Sequence, residues 1–313
     1  MTVDSGRASA PAVSVIVPTC NRLRFLRPAI ESVYSQTFTD WELIIADDGS
    51  DLETRAYLES LSSDPRVSVL WLPHTGRPSV VRNAALLRAS GKYVAFLDSD
   101  DLWAPRKLER QIETLRARTD CRWSYTAFLR VDERGTPLPE EVGRHWMPYE
   151  GQIFEQVVTG RASIRTPSVL ATRELLAQAG AFDEALLSAE DYDLWLRLAL
   201  HSEVAIVNEL LVYVRYHDEN HTREWQSAFA GRDRSLRRRQ KLVDSRRRAL
   251  MCEERVRNAL LLAAAYQQRG AKAPVLRALC ESWPYSWTYP RWWLSGLKIM
   301  LRAYALPRAR RES

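Results

Sequence analysis

Short apolar runs alternate with amphipathic stretches through the first 118 residues. Val13-Ser14-Val15-Ile16-Val17 reads as a strand, broken by Pro18-Thr19-Cys20-Asn21-Arg22, with Asn21 placed to cap the helix that follows. Leu23, Leu26, Ile30 and Val33 then recur at helical spacing. Further strands are predicted at 41–46, 67–72 and 93–97, and helices at 51–61, with Asp51 placed to cap it, 78–89 and 105–118. Strands alternating with helices imply βαβ units and a mainly parallel sheet, an α/β fold.

The second half is less regular. Residues 123–130 alternate well enough for a strand, 131–149 read as a Pro- and Gly-containing loop or hairpin, and 152–158 as a short helix. A short strand at 167–171 leads to a helix that Thr172 would cap. Glu190-Asp191 opens another helix, whose apolar face carries Leu194, Trp195, Leu198 and Ala199. Two short strands are predicted at 204–208 and 211–215.

Polar groups collect where the strands end. Thr19 and Arg22 follow the first strand, Asp47 and Asp48 the second, and Asp98, Asp100 and Asp101 the fourth. Parallel strands place these ends on one edge, where open α/β sheets bind ligands. Clustered carboxylates repel, so a hard divalent cation bound together with phosphate oxygens is expected at Asp98 and Asp100. The bland alternative is a solvated acidic turn. Asp48 would hydrogen-bond a ribose or base, or else merely shape a turn, and Arg22 and Arg82 could neutralise phosphate. No G-x-G-x-x-G follows the first strand and no G-x-x-x-x-G-K-[ST] occurs, so neither a dinucleotide fingerprint nor a P-loop is indicated.

Composition adds limits. The chain has 313 residues, 46% hydrophobic and 27% charged, enough for one large domain with an appendage. Its four cysteines, Cys20, Cys121, Cys252 and Cys280, lack zinc-motif spacing and are expected to be reduced thiols. Residues 1–11 show no apolar core for a signal peptide and no run is long enough to span a bilayer, so a cytoplasmic protein is expected. Net charge is +6, with much of the Arg excess after residue 230. There a basic stretch at 232–248 and a helical one at 251–270 precede Trp283, Tyr285, Trp287, Tyr289, Trp292 and Trp293. Lys and Arg beside Trp suit a helix lying on the inner face of a membrane, or a basic helix packed on the protein by its aromatics. No nucleic-acid-binding module is recognisable.

Val-Ser-Val-Ile-Val-Pro-Thr-Cys-Asn-Arg, Ala-Asp-Asp-Gly-Ser, Arg82-Asn83 before Gly91-Lys92-Tyr93, and Leu-Asp-Ser-Asp-Asp together resemble, in order and spacing, the family 2 glycosyltransferases of GT-A fold. The resemblance covers residues 12–220. It implies inverting transfer of a sugar from a nucleotide-sugar, expected to be a UDP-sugar, with Mg²⁺ or Mn²⁺ as cofactor. The acceptor would be a hydroxyl of a glycan, a lipid-linked or a small-molecule compound. By motif, Pro18, Thr19, Arg22, Asp48, Arg82, Asp98 and Ser99 would line the donor site, and Asp98 and Asp100 would form the D-x-D motif, Asp100 binding the metal directly. The Glu-Asp pair of this family gives Asp191 as catalytic base and Glu190 as a supporting residue. The segment 213–221 resembles the one that closes over the donor diphosphate, where His217 would complete the metal shell or touch phosphate; otherwise it is a loop histidine.

This reading divides the chain into a flexible start at 1–11, a catalytic domain at 12–225 and a basic, Trp-rich helical region at 226–313. Residues 12–105 would bind the donor and 106–225 the acceptor. Trp103 either stacks on a sugar or fills the core. A nucleotidyltransferase also joins paired acids to a metal, but the stretch 18–22 lacks the Gly-rich loop such enzymes use. The non-enzymatic alternative is an inactive nucleotide-sugar-binding scaffold.

Overall fold

The structure, a computed structural model, describes residues 10–141, 146–217 and 225–304. The chain divides into two compact units, residues 1–220 and 221–313. Most of the proposed flexible start, residues 1–9, lies outside the described residues, as do 218–221 of the segment expected to cover the diphosphate.

The first unit begins with β1 (Val13–Thr19), α1 (Leu23–Tyr34), β2 (Trp41–Asp48), α2 (Leu52–Ser60), β3 (Val67–Leu72), α3 (Pro78–Leu86) and β4 (Tyr93–Phe96). It continues through β5 (Leu102–Trp103), α4 (Lys107–Ala117), β6 (Cys121–Val131), α5 (Phe154–Val158) and β7 (Val169–Thr172). It ends with α6 (Arg173–Ala179), α7 (Glu190–His201) and β8 (Glu203–Arg215). One sheet runs in the order β3-β2-β1-β4-β7-β6-β8-β5. Its first four strands are parallel, as expected, whereas β7 and β5 run antiparallel to their neighbours, so the sheet as a whole is mixed.

Val13, Val15, Ile16 and Val17 are all fully buried, which is the burial of a strand covered on both faces. Register then decides which groups meet. Thr19 stands beside Asp47 across β1 and β2, and Ile16 beside Phe96 across β1 and β4, so the acids after β2 and β4 emerge at the edge where β1 ends. Gly91 permits the close crossing before β4: a Cβ there would lie 2.7 Å from the Ser14 backbone nitrogen.

Three local expectations change. Asn21 does not cap α1: it and Arg22 take left-handed φ values of 53° and 45°, and the Asn21 Oδ1 accepts instead from the Asp51 backbone N–H at 2.7 Å. That bond and the one from Asn21 N–H to Ser50 Oγ, at 2.8 Å, tie the exit of β1 to the exit of β2. The two strands expected at 204–208 and 211–215 form one, β8, because the polar pair Asn208-Glu209 is taken up as a bulge: Thr126 faces Val207, and Ala127 faces Leu210. Trp103 belongs to the core, 4% exposed, with its indole N–H donated to the Pro167 carbonyl at 2.8 Å and the buried Lys107 ammonium 3.9 Å above its ring. It cannot stack on a sugar. The caps expected of Asp51 and Thr172 form, to Thr54 N–H and Leu175 N–H.

The second unit contains α8 (Trp225–Arg239), α9 (Ser245–Gln268), α10 (Lys272–Ser282) and α11 (Arg291–Tyr304). Val256, Leu260, Ala263, Val275, Ala278, Leu279 and Trp292 form its core. Trp292 donates its indole N–H to Ser282 Oγ at 2.8 Å, so this tryptophan holds α11 onto α10 and faces inward. Trp293, Leu294, Leu297 and Leu301 remain exposed. Among the described residues no helix is long and apolar enough to cross a membrane.

Candidate active site

The chain after β4 turns at once, with the Asp101 N–H donating to the Asp98 carbonyl at 3.0 Å. This turn aims its three acids in different directions. Asp101 is structural: its Oδ1 accepts from the Arg215 backbone N–H at 2.9 Å and fixes the end of β8 against the turn. Arg215 also donates to the Asp100 carbonyl, and to the Phe25 carbonyl at 3.0 Å. Asp100 Oδ2 accepts from Arg22 Nη1 at 2.7 Å and from His217 Nε2 at 3.0 Å. The His217 side chain is fully buried and its ring stacks on Phe25 with centroids 4.3 Å apart, so it packs against the acid turn and is not a loop histidine in solvent.

Asp98 points the other way. Its Oδ1 accepts from Arg82 Nη2 at 2.6 Å, while Arg82 Nη1 donates to Glu190 Oε1 at 2.9 Å. One buried guanidinium on α3 therefore joins the acid after β4 to the acid that opens α7. Asp191, next along, reaches no cation within ion-pair distance among the described residues; its Oδ1 accepts from the Tyr192 N–H at 2.7 Å. Ala189, at φ 58°, makes the turn that presents this pair. The third acid of the helix, Asp193, is buried and bound to Arg197 Nε at 2.9 Å, and Arg197 in turn donates to the Ala181 carbonyl at 2.6 Å. Asp193 is thus a packing residue that sequence reading passed over. Only its i, i+4 partner signalled that role.

Electrostatics sort these carboxyls. Burial pushes Asp98 up, with the Asp100 charge adding and Arg82 opposing. Burial and both neighbouring acids push Asp101 well up. Asp100 moves down: burial opposes, but the His217 hydrogen bond and the Arg22 charge outweigh it. Burial and the Glu190 charge raise Asp191 to about 6, only partly offset by Arg82 and Arg165. A carboxylate held near 6 is a better proton acceptor at neutral pH than an ordinary aspartate.

At the β2 end, Asp48 is buried and tightly held. Its Oδ1 accepts from the Thr75 N–H at 2.7 Å and its Oδ2 from the Gly76 N–H at 2.8 Å, both in the segment after β3. Asp47 Oδ2 accepts from the Ser50 N–H at 3.1 Å, but Asp47 Oδ1 and the neighbouring Thr19 Oγ1 are buried with no hydrogen-bond partner among the described residues. Orphaned buried acceptors of this kind call for a ligand or water. Pro18 is half-buried in β1 and Ser99 is buried within the acid turn.

Carboxylate oxygens and one imidazole nitrogen suit Mg²⁺ or Mn²⁺. Here Arg82 draws Asp98 one way while Arg22 and His217 hold Asp100, and the three donors do not gather into one cluster. The donor types fit such a cation, and cationic side chains now cover its acids.

The family described as glycosyl transferase family 2 matches residues 14–171. An uncharacterised glycosyltransferase of Rickettsia bellii is 32% identical over 210 residues, 67% of this chain and 29% of that protein. TuaG of Bacillus subtilis, a putative teichuronic acid biosynthesis glycosyltransferase, is 43% identical over 41% of this chain and 51% of its own length. The chain thus spans about a third to a half of these two relatives. The Escherichia coli UDP-Glc:α-D-GlcNAc-diphosphoundecaprenol β-1,3-glucosyltransferase WfgD is 31% identical over 63% of this chain and 73% of its own. Among solved structures, S. aureus TarS in complex with UDP-GlcNAc superposes with a TM-score of 0.59 at 17% identity, over 90% of this chain and 91% of that one. Mannosyltransferase PcManGT of Pyrobaculum calidifontis, with GDP-Man and Mn²⁺, gives 0.61 at 16% identity, over 94% and 86%. The ordered motifs, the strand edge they share and the family match over half of the chain place this protein in glycosyl transferase family 2, with the GT-A fold.

Proposed function

We propose that the protein is an inverting glycosyltransferase that moves a sugar from a UDP-sugar to a hydroxyl of a glycan or lipid-linked acceptor, in cell-surface polysaccharide or glycoconjugate synthesis. The observation that carries this is the Arg82 bridge, which puts the D-x-D acid Asp98 and the helix-opening pair Glu190-Asp191 one side chain apart. A donor diphosphate at the first and an acceptor hydroxyl at the second would then be neighbours. The donor of WfgD, the UDP-GlcNAc bound by TarS and the Mn²⁺ bound by PcManGT support the choice of donor and cofactor.

In this reading Thr19, Asp47 and Asp48 receive the nucleoside, Asp47 Oδ1 and Thr19 Oγ1 gaining the partners they lack. Asp98 and Asp100 would hold Mg²⁺ or Mn²⁺, with His217 beside Asp100. Bound there, the ion would offset charge on the departing diphosphate. Arg22 and Arg82, paired here with Asp100 and Asp98, would instead neutralise donor phosphate oxygens when those acids hold the ion. Asp191 accepts the proton of the acceptor hydroxyl while its oxygen attacks the anomeric carbon from the face opposite the diphosphate, which inverts that carbon. Glu190, held by Arg82, keeps Asp191 in place and raises its basicity. A lipid-linked acceptor would bring the protein to the inner face of a membrane, where the exposed Trp293, Leu294, Leu297 and Leu301 of α11 suit the interface.

The test is to incubate the protein and metal with a panel of nucleotide-sugars and acceptors, and to measure free nucleotide and product anomer by NMR. A product of inverted configuration is expected. Retention, or release of pyrophosphate instead of nucleotide, would refute the reading; the latter would mark a nucleotidyltransferase.

A further inference from the structure

A second cluster of metal-binding side chains sits on the same sheet edge, beyond the acids after β4. Cys20 follows the last residue of β1, Asp48 ends β2 and His74 lies in the segment after β3. One donor atom from each falls within 4.8 Å of the others. The His74 Nδ1 is 3.7 Å from Cys20 Sγ and 3.4 Å from Asp48 Oδ2. In a tetrahedral zinc site with ordinary bond lengths, the sulfur–nitrogen edge is about 3.5 Å and the nitrogen–oxygen edge about 3.4 Å. Two edges of such a site are therefore already near their required length.

The backbone is built to allow this approach. Gly49 turns the chain after β2 at φ 76°, and a Cβ on it would lie 2.9 Å from the His74 Cβ. Any other residue would push the imidazole off the cluster. Asp48 is fixed by the Thr75 and Gly76 N–H groups, so one ligand is preorganised. His74 is exposed, which leaves a fourth position open to water.

We propose that Cys20, Asp48 and His74 form a site for a thiophilic divalent cation, Zn²⁺, apart from the Asp98–Asp100 pair but sharing Asp48 with the proposed nucleoside site, so that zinc and nucleotide exclude one another there. A thiol excludes Mg²⁺ and Ca²⁺ as its occupants, since hard cations take oxygen ligands, whereas one sulfur, one nitrogen and one oxygen suit zinc. On binding, Cys20 loses its proton to solvent, and the His74 Nδ1 gives up its 2.8 Å contact with the Asp48 carbonyl, its ring proton passing through solvent to the exposed Nε2, so that Nδ1 presents a lone pair.

Co²⁺ serves as the spectroscopic probe. Reduced full-length protein titrated with Co²⁺ should develop a thiolate-to-cobalt charge-transfer band with an end point at one equivalent, and Zn²⁺ should bleach it. Cys20→Ser should abolish the band although Cys121, Cys252 and Cys280 remain. His74→Ala, at an exposed position, should weaken Zn²⁺ in chelator competition by more than the roughly 10–100-fold that an outer-shell partner is worth. Far-ultraviolet circular dichroism checks that both variants are folded. No band in the wild type, an undiminished band in Cys20→Ser, or unchanged Zn²⁺ affinity in His74→Ala would overturn the site.

Discussion

Asp191→Asn separates the two things the site demands of this residue. The amide keeps an Oδ1 to accept from the Tyr192 N–H, so this local contact at the start of α7 is retained. What is lost is a charge that burial and Glu190 disfavour. The carboxyl rises from an ordinary 3.8 to about 6 in the folded chain. That gap corresponds to about 3 kcal/mol. The folded state binds the proton more tightly than the unfolded state, so this contribution favours folding fully below pH 3.8 and is lost as pH rises through about 6. At pH 8 the wild type therefore carries an ionised Asp191 at a cost the Asn variant does not have. The variant should be more stable there by up to about 3 kcal/mol, and by less in proportion to the solvent that reaches the open face of Asp191. Near pH 4 the two should be nearly equal. Urea unfolding of both proteins at both pH values measures this directly. A variant no more stable at pH 8 than the wild type would mean that the charge is not penalised and the argument for a perturbed base fails.

Activity should move in the opposite direction. A general base contributes roughly 10²–10⁴-fold, and the Asn variant should lose about that much transfer while still binding nucleotide and metal. In the wild type, transfer should climb as pH rises through about 6 and then level off. The residual activity of the variant should not follow that curve. Asp191→Glu should recover little, because one added methylene misplaces the accepting oxygen.

Asp100→Asn should abolish transfer, as should excess chelator on the wild type; full activity in either case would remove the metal from the reaction. Arg82→Met, which keeps the bulk and loses the charge, leaves Asp98 and Glu190 without their shared cation and should cost about 3 kcal/mol in urea unfolding, the scale of breaking a buried ion pair. Asp48→Ala should weaken nucleotide binding in calorimetry; unchanged affinity would return Asp48 to a purely local role in bracing the segment after β3. Trp293→Ser combined with Leu297→Ser, both at exposed positions, should reduce flotation with anionic liposomes, and equal flotation would leave the second unit with no membrane role.

The parallel half of the fold was legible because each of its strands is a mostly apolar run, and acids gather where β2 and β4 end. Asp51 and Thr172 were legible as caps for the same reason: a polar side chain stands three residues ahead of a helical N–H that needs it. Asn21 followed that rule in sequence and broke it in space, since the Asp51 N–H from another strand exit competes for its carbonyl. Such competition is set by register between strands, which no local pattern encodes. The roles of Arg82 and Arg215 were hidden likewise. Arg82 reads as a phosphate ligand beside Asn83, yet its partners are 16 and 108 positions away. Trp103 and Trp292 illustrate a different limit: composition shows an aromatic, but only packing shows which face of its element it occupies.

The counter-ions of the acid turn bear on the metal in a way that can be tested without activity. Arg22, Arg82 and Arg215 spread their hydrogen bonds over Asp98, Asp100, Asp101 and Glu190, and Asp191 has no such partner among the described residues. Five carboxyls share these cations, and burial makes their combined charge costly, which is why Asp98, Asp101 and Asp191 are all pushed up. A divalent cation would offset that charge, so Mg²⁺ should favour the folded chain over the unfolded one. At a concentration about 100 times its dissociation constant the gain is about 2.7 kcal/mol. The melting temperature of the wild type should rise accordingly. Asp100→Asn removes one ligand and should lose most of that rise while keeping the fold, because Arg215 still ties Asp101 and the Asp100 carbonyl to β8. Cys20→Ser should keep the rise in full, since a thiol contributes nothing to Mg²⁺. Equal rises in wild type and Asp100→Asn would place the ion elsewhere, and the guanidinium groups would then be the permanent counter-ions of these acids.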